Sequence, residues 1–296
     1  MARNGTYYLG RVLKLGSLTQ ATLMQALSSP RPIQSRGGNW ALVNVHLDPD
    51  SQFVFGRLAR YLPEGRVDVV DPHTLSTESQ IEPNLLVASV PFVYIPAHSG
   101  IAFLANSSNI DHLTFIRRFC SIVEGSLDNF FVECQIQVIT DLRAFAIRVS
   151  ALDAIYRIQS RVSPPNPLFG PLWENLKNYL IQRNADRLNL TENAGPGEAL
   201  HSMLPELASS FTETTHYPES ELFSPVPIGD AAILMAVDGY GTGVIRGRKE
   251  GETIIIKTSE TIANFSFDKE PLPEELYEAA NEQFEKIRVN RYMEHG

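Results

Sequence analysis

The chain has 296 residues, 43% of them hydrophobic and 20% charged, and its formal net charge at neutral pH is -9. This composition excludes a disordered or fibrous protein and predicts a globular one that buries a substantial core. The acidic balance excludes a protein that is basic over its whole surface, so any contact with phosphates must come from a local patch.

Cysteine usage and hydropathy bear on the compartment. Cys120 and Cys134 form no CxxC pair, and two thiols in a chain of this size favour a reducing compartment over a disulfide framework or a zinc knuckle. No apolar run near the N-terminus is long enough for a signal peptide, and nowhere do ~18 consecutive apolar residues occur. We therefore expect a cytoplasmic protein without membrane insertion.

Hydrophobic periodicity predicts alternating strands and helices in the first part of the chain. The predicted elements are a strand over 6–15, a helix over 18–27, a strand over 40–47, a helix over 52–62 and a short strand over 66–70. The apolar residues of 52–62 share one helical face, which is why a helix is predicted there. The polar segment 72–83 is predicted to be a surface loop.

The middle of the chain carries the clearest pattern. Two apolar runs, 85–95 and 101–104, are joined by a short loop with glycine, which predicts a hairpin. The elements predicted after it are a helix over 110–123 with Asn109 as N-cap, a half-buried strand over 130–139, a helix over 142–152 capped by Asp141 and a strand over 155–162. This order predicts an α+β sandwich with helices on one face of a sheet.

The last part is predicted to be helical and then β. Prolines at 163–167 end the sheet. The elements predicted beyond them are a helix over 168–190, a second helix within 192–210, a linker or lid over 212–228, strands over 231–237, 243–248, 253–258 and 262–267, and a closing helix over 273–289.

We thus predict an α+β fold of mixed or antiparallel sheets with helices packed on one face, C-terminal β-hairpins and a closing helix. The expected division is an α+β sheet domain (1–162), a helical segment (163–211), a linker or lid (212–229), and a β-hairpin unit with the C-terminal helix (230–296).

The run DGYGTGVIRGRKEG (238–251) raises the question of a phosphate-binding loop. Its glycines are not spaced as GxGxxG, and no Lys-Ser or Lys-Thr pair follows its last glycine as in a P-loop. The residues that follow are β-branched and show no helical stripe, whereas a dinucleotide loop opens a helix. The run therefore predicts a hairpin turn in which glycines supply positive φ angles.

The search for catalytic motifs finds no GxSxG, no HExxH and no kinase-like loop. His46 and Asp48 share a strand face and Asp71 follows the next strand, so a metal-dependent nuclease or another hydrolase around these three residues stays open. Turn chemistry explains Asp48 equally well. No catalytic residue, metal ligand or cofactor is predicted.

Clustered cations are the remaining candidate sites. On a strand, Arg246 and Arg248 project to the same face, with Lys249 across from them, and would contact phosphates as a small ribbon. The other clusters lie on predicted helices: Arg117 with Arg118, and Lys177 with Arg183 and Arg187, the last two expected one helical turn apart. A solvated surface explains each cluster as well, and a groove for the nucleic-acid backbone requires that several converge in the fold or across a dimer.

The order of elements also carries a resemblance. The segments SVPFVYIPAHSGIAFLAN, NFFVECQIQVI and IYRIQSRVSPPNP, the last followed by a predicted long helix, lie within residues 40–200. This region resembles uncharacterised bacterial proteins of phage-defence loci and mobile elements and, more distantly, the lambda-phage exclusion protein RexA. The resemblance implies a cytoplasmic antiviral protein that binds nucleic acid, acts as a dimer and works with a partner. It includes no catalytic motif.

Three functions follow as expectations. The first is a non-enzymatic component of an anti-phage, abortive-infection-like system that binds nucleic acid or a partner protein through its basic patches. The second is the metal-dependent nuclease or other hydrolase. The third is a structural adaptor subunit, for which the proline-containing segment 212–228 would serve as a docking arm.

Overall fold

A computed structural model describes residues 4–35, 37–105, 109–128, 131–164, 174–213 and 226–291. Helices in this part of the chain are α1 (Gln20–Ser28), α2 (His112–Gly125), α3 (Leu142–Ser150), α4 (Glu174–Gln182), α5 (Leu204–Glu213), α6 (Ile228–Met235) and α7 (Pro273–Arg291). The strands are β1 (Asn4–Gly16), β2 (Ile33–Ser35), β3 (Gly38–Leu47), β4 (Val54–Asp71), β5 (Ser76–Ile95), β6 (Gly100–Leu104), β7 (Val132–Val138), β8 (Ala154–Val162), β9 (Leu188–Asn193), β10 (Gly241–Lys249), β11 (Glu252–Lys257) and β12 (Asn264–Asp268).

The strands form two antiparallel sheets. The larger has the order β12-β1-β6-β5-β4-β3-β2, with β7 also paired to β1. The smaller has the order β11-β10-β8-β9. The predicted α+β class is therefore confirmed. No helix among the described residues is long and apolar enough to cross a membrane.

Each sheet buries its own hydrophobic core. Helices α1, α2 and α7 pack on the larger sheet, where Phe103 stacks on Phe115 with ring centroids 4.1 Å apart. Helices α3, α5 and α6 cover one face of the smaller sheet. Strand β1 contributes to both cores, because Val12 belongs to the first and Leu13 to the second. Alternate side chains of one strand thus join the two cores.

Helix α6 corrects the strand predicted over 231–237. All its residues from Gly229 to Met235 are buried. A helix that is buried on every side shows no one-sided stripe, and an apolar run such as 231–237 reads equally well as a buried strand.

Strand β4 corrects the helix predicted over 52–62. A register shift between Arg60 and Tyr61 interrupts its pairing with β5. Before that shift, residues 54–56, 58 and 59 are all buried, so both faces of the strand carry apolar side chains and their spacing resembles that of a helix. The loop predicted over 72–83 is also wrong, since the pairing of β4 with β5 continues to Asp71 and Ser76.

The helices predicted over 168–190 and 192–210 are shorter in the structure. Helix α4 ends at Gln182, Asn184 has a positive φ of 50°, and β9 follows. Helix α5 begins only at Leu204. The N-cap of α2 is Asp111, which accepts a hydrogen bond from the Thr114 amide at 2.6 Å, and not Asn109. Residues 165–173 and 214–225, with most of the predicted linker, lie outside the described residues.

The far half of the β4–β5 hairpin projects from the larger sheet. We call residues 64–83 the arm; most of its side chains are exposed, including Leu75 at 83% and Ile81 at 64%. It holds five acidic residues and one arginine: Glu64, Arg66, Asp68, Asp71, Glu78 and Glu82. The arm contributes no residue to either core.

Asp230 in the first turn of α6 is expected to make the protein less stable as the pH rises from 5 to 7. Burial raises the pKa of this carboxyl to about 6, although it accepts hydrogen bonds from the Met203 amide and the Ser202 hydroxyl. Between the unfolded and folded pKa values the folded state holds the extra proton, so stability is lost as the pH passes the folded value. Burial lowers the pKa of His98, which makes the protein more stable over the same pH range. From pH 5 to pH 7 the wild type should therefore lose about 1 kcal/mol relative to Asp230→Asn in urea unfolding. An equal pH-dependent change in the two proteins would assign the effect to another group.

Candidate nucleic-acid interface

The smaller sheet has one buried face and one open face. The alternating burial of residues in the glycine-rich run shows which side of the sheet is buried. The β10 residues Gly243, Ile245 and Gly247 point toward the helices. A Cβ on Gly243 would lie 2.7 Å from Ile233 of α6, so glycine is required for the helix to approach the sheet this closely. The alternate residues of β10, including Arg246 and Arg248, are therefore directed outward.

The turn predicted within this run lies at its end. Glu250 and Gly251 both have positive φ angles, 49° and 86°, and they connect β10 to β11. The two positive angles are those of a type I′ hairpin. Gly239 also has a positive φ, 87°, where the chain leaves α6 for β10. A strand, not a helix, follows the glycines, as predicted.

The open face collects cations from three strands. Arg157 lies directly across from Arg246, and Arg161 lies across from Thr242. We call the set the basic face; its cations are Arg157, Arg161, Arg246, Arg248 and Lys257. Within the described residues, none of the five makes an ion pair closer than 4.0 Å. Like charges directly opposite one another destabilise a sheet, so this arrangement favours a bound anion.

The remaining outward side chains are polar except for Val244 and the exposed Ile255. Gln159, Thr191 and Asn193 alternate with inward residues on β8 and β9. The register shift between Arg246 and Gly247 places Tyr156 as the extra residue of β8. Its hydroxyl donates a hydrogen bond to the Thr253 hydroxyl at 3.0 Å. The tyrosine is half-buried, which leaves part of its ring as a stacking surface at the end of the face.

At this end the face deepens into a cleft of about 530 Å³, which we call the arginine cleft. Arg157, Arg246 and Arg248 line one side, together with Tyr156. The other side is formed by residues 193–199, the end of β9 and the loop after it, without Pro196. The Nε atoms of Arg157 and Arg246 are buried and have no hydrogen-bond partner in the described part of the chain.

The structure brings together only some of the cations predicted from sequence. Arg246 and Arg248 lie on the basic face, and Lys249 lies at the exposed end of the hairpin, across from Glu252. Arg187 donates to Glu133 of β7 at 2.8 Å, so a carboxylate neutralises it. Arg183 is exposed between α4 and β9, and the prediction that it lies one helical turn from Arg187 is wrong because α4 ends before both. Lys177 is half-buried on α4.

The two arginines of α2 also differ from each other in their surroundings. Arg117 is exposed, whereas the Arg118 guanidinium lies 5.4 Å from the centre of the Trp40 ring. Burial lowers the pKa of Arg118 below its usual value. Helix α2 packs on the larger sheet, so Arg117 and Arg118 belong to a different element from the basic face.

The residues considered for a metal-dependent hydrolase do not meet. Asp71 lies at the tip of the arm, 17 residues along β4 from Val54, which is roughly 50 Å of strand. His46 pairs with the other end of β4, opposite Phe55, and lies 3.9 Å from Glu274. Asp48 accepts from the Gln52 amide, as its turn chemistry predicts. Among the described residues, no three His, Cys, Asp or Glu side chains form a metal-binding group.

Sequence reasoning missed Tyr156, Arg157, Arg161 and Lys257. The signal was present, because Arg157, Gln159 and Arg161 alternate with apolar or small residues in the strand that was correctly predicted over 155–162. What the sequence does not give is the pairing of β8 with β10, which brings Arg157 beside Arg246.

Comparison with known proteins identifies a family whose description states no function. A family described as "Domain of unknown function (DUF4747)" matches residues 22–211, and no curated protein matches the chain. The matched region includes β8 and β9 of the basic face, whereas β10 and β11 follow it.

Proposed function

The chain belongs to the DUF4747 family, and we propose that it binds single-stranded nucleic acid on the basic face. The observation that carries the proposal is the set of five outward cations without a described ion pair, two of them directly opposite each other. In a chain with a net charge of -9, such a local concentration of positive charge needs a reason. A phosphate backbone supplies one, because it neutralises several cations at once.

The shape of the face favours a single strand over a duplex. Proteins that recognise duplex DNA insert a helix or a two-stranded ribbon into a groove, whereas this face is an open sheet. Unpaired bases lie flat on such surfaces, stacked on aromatic rings or guanidinium planes. Tyr156 and the arginines offer these planes, and the polar side chains Gln159, Thr191 and Asn193 offer hydrogen bonds to base edges.

The wider setting of the proposal is a non-enzymatic role in a bacterial anti-phage, abortive-infection-like system, in the cytoplasm and with a protein partner. This part is supported by the resemblance of residues 40–200 to proteins of phage-defence loci and by the cysteine usage. The missing metal-binding group among the described residues leaves the alternative nuclease without a named site. The basic face needs no catalytic residue to act as a sensor or a tether.

We also propose that the protein forms a homodimer through the arm. A two-stranded ribbon is marginally stable in water by itself, and exposed apolar side chains on such a ribbon mark an interaction surface. In the arm Val70 and Ile81 lie on one face and Val69 on the other, and all three are exposed. A second copy supplies the same ribbon in return, so that one contact covers two arms.

Salt dependence tests the nucleic-acid proposal. A fluorescent single-stranded RNA of about ten nucleotides should bind with an affinity that falls roughly 50-fold between 50 and 200 mM salt, as for about four phosphate contacts. Replacing Arg161 and Lys257 together by glutamine should weaken binding about 10-fold at 50 mM salt and reduce the slope of log affinity against log salt by about 1.4.

The matched control replaces Arg31 and Lys286 by glutamine. Both are exposed and each lies in an ion pair away from the smaller sheet, with Asp128 and Glu282 respectively. The control removes the same charge and should leave affinity within about twofold, because it alters only the long-range field. Equal losses in the two variants, or no binding by the wild type at 50 mM salt, would refute the proposal.

A further inference from the structure

The arginine cleft has the properties of a site for a discrete ligand at the end of the basic face. Its volume, about 530 Å³, falls in the range of small-molecule sites. Its arginines come from two neighbouring strands and its opposite wall is a loop with two glycines, Gly195 and Gly197. A Cβ on Gly197 would meet nothing within 4 Å, so the loop leaves open space at this residue.

The arginine side chains define the chemistry of the ligand. Arg157 and Arg246 each bury an Nε–H group that has no acceptor in the described part of the chain. A buried donor without an acceptor costs about 1–3 kcal/mol, so an acceptor atom that entered between the two facing arginines would recover part of this cost. Guanidinium groups donate in parallel pairs, a geometry that matches the oxygens of a phosphate.

The remaining lining residues provide contacts for a nucleoside. The Tyr156 ring can stack on a base, and the Asn193 amide can bond to its edge. Glu198 is the carboxylate in the lining, on the loop side. It repels a phosphate and accepts hydrogen bonds from ribose hydroxyls. The ligand should therefore lie with its phosphate between the arginines and its sugar toward the loop.

We propose that the arginine cleft binds a nucleoside monophosphate group, either free or as the 5′ end of a strand that lies on the basic face. The second form rests on the proposed function, whereas the first does not. A terminal phosphate carries more charge than a phosphate within a strand, so the cleft would distinguish strand ends from strand interiors. The basic face would bind strands of any sequence, and the cleft would add a preference for strands that end in a 5′-phosphate.

The test compares ten-nucleotide RNAs that carry a 5′-phosphate or a 5′-hydroxyl, by fluorescence anisotropy, and titrates AMP and adenosine by calorimetry. The phosphorylated strand should bind about 10-fold tighter, and AMP should bind whereas adenosine does not. Arg246→Met should reduce the ratio of the two strand affinities to near 1 and abolish AMP binding. Arg157→Met is the second variant, in case the first does not fold, and circular dichroism checks both.

The control separates the cleft from the face. Lys257→Gln, on the face but not in the cleft lining, should weaken both strands and leave the ratio near 10. AMP binding without a strand preference would identify a free nucleotide as the ligand, and a strand preference without AMP binding would identify a 5′ end. A ratio near 1 in the wild type together with no AMP binding would overturn the inference, even where both strands bind. If neither strand binds but AMP does, the proposed function fails and the cleft stands.

Discussion

Replacing Arg291 by methionine is expected to lower the free energy of unfolding by about 3–5 kcal/mol, because it removes the guanidinium that neutralises a buried carboxylate. Arg291 Nη1 donates to Asp238 Oδ1 at 2.9 Å, and Nη2 donates to the Thr140 carbonyl at 2.7 Å. The two side chains are 4% and 0% exposed. The pair joins the end of α7 to the segment between α6 and β10, so its loss should loosen the connection between the two cores.

Urea unfolding monitored by circular dichroism measures the effect. Lys286→Met, on the same helix, is the control, because its 2.7 Å ion pair with Glu282 is exposed. Exposed pairs of this kind contribute about 0–1 kcal/mol. The double variant Arg291→Met, Asp238→Asn should recover part of the loss, since the buried carboxylate is removed together with the guanidinium. A loss below 1 kcal/mol in the single variant would show that water reaches Asp238 and that the two cores do not depend on this pair.

The sequence predicts those elements that show one face to the core and one to water. Helices α2 and α3, strands β7 and β8, the β10–β11 hairpin and α7 all follow this rule. The prediction fails where the rule does not apply. Helix α6 is buried on every side, so it has no polar face to set its period. The arm is exposed on both sides, so the polar segment 72–83 gave no strand pattern.

In the candidate site, too, the sequence predicts the features that are local and misses those that depend on distant parts of the chain. The alternation of Arg246 and Arg248 on a strand is a local property, so the sequence alone places them on one face. Their convergence with Arg157 is not local, because it depends on the pairing of β10 with β8. The same dependence on distant partners explains Arg187, whose charge is neutralised by Glu133 on a strand more than fifty residues earlier in the chain.

Deleting the arm is expected to convert a dimer into a monomer without loss of stability. The variant replaces residues 64–83 by Asn-Gly between Pro63 and Asn84, which Leu62 and Leu85 bring together by their pairing. Neither core contains an arm residue, so the thermal midpoint should change by no more than about 2–4 °C. Light scattering after size-exclusion chromatography at tens of micromolar protein should give a dimer mass for the wild type and a monomer mass for the deletion.

A double substitution tests whether the dimer depends on apolar contacts of the arm or only on the presence of the two strands. Val70→Thr with Ile81→Thr keeps the β-branched shape that favours a strand and removes two exposed apolar groups that share one face of the arm. The dimer should weaken by at least 10-fold if this face is covered by the second copy. Matched variants of acidic residues, Asp68→Asn with Glu78→Gln, should have a smaller effect, because exposed charges are screened by salt. If the deletion variant is still a dimer, the interface lies elsewhere on the subunit. If the wild type is a monomer, the arm does not bind a second copy of this chain, and its partner would be a different protein. Either result would still leave the basic face on each subunit, because the arm and the smaller sheet share no strand.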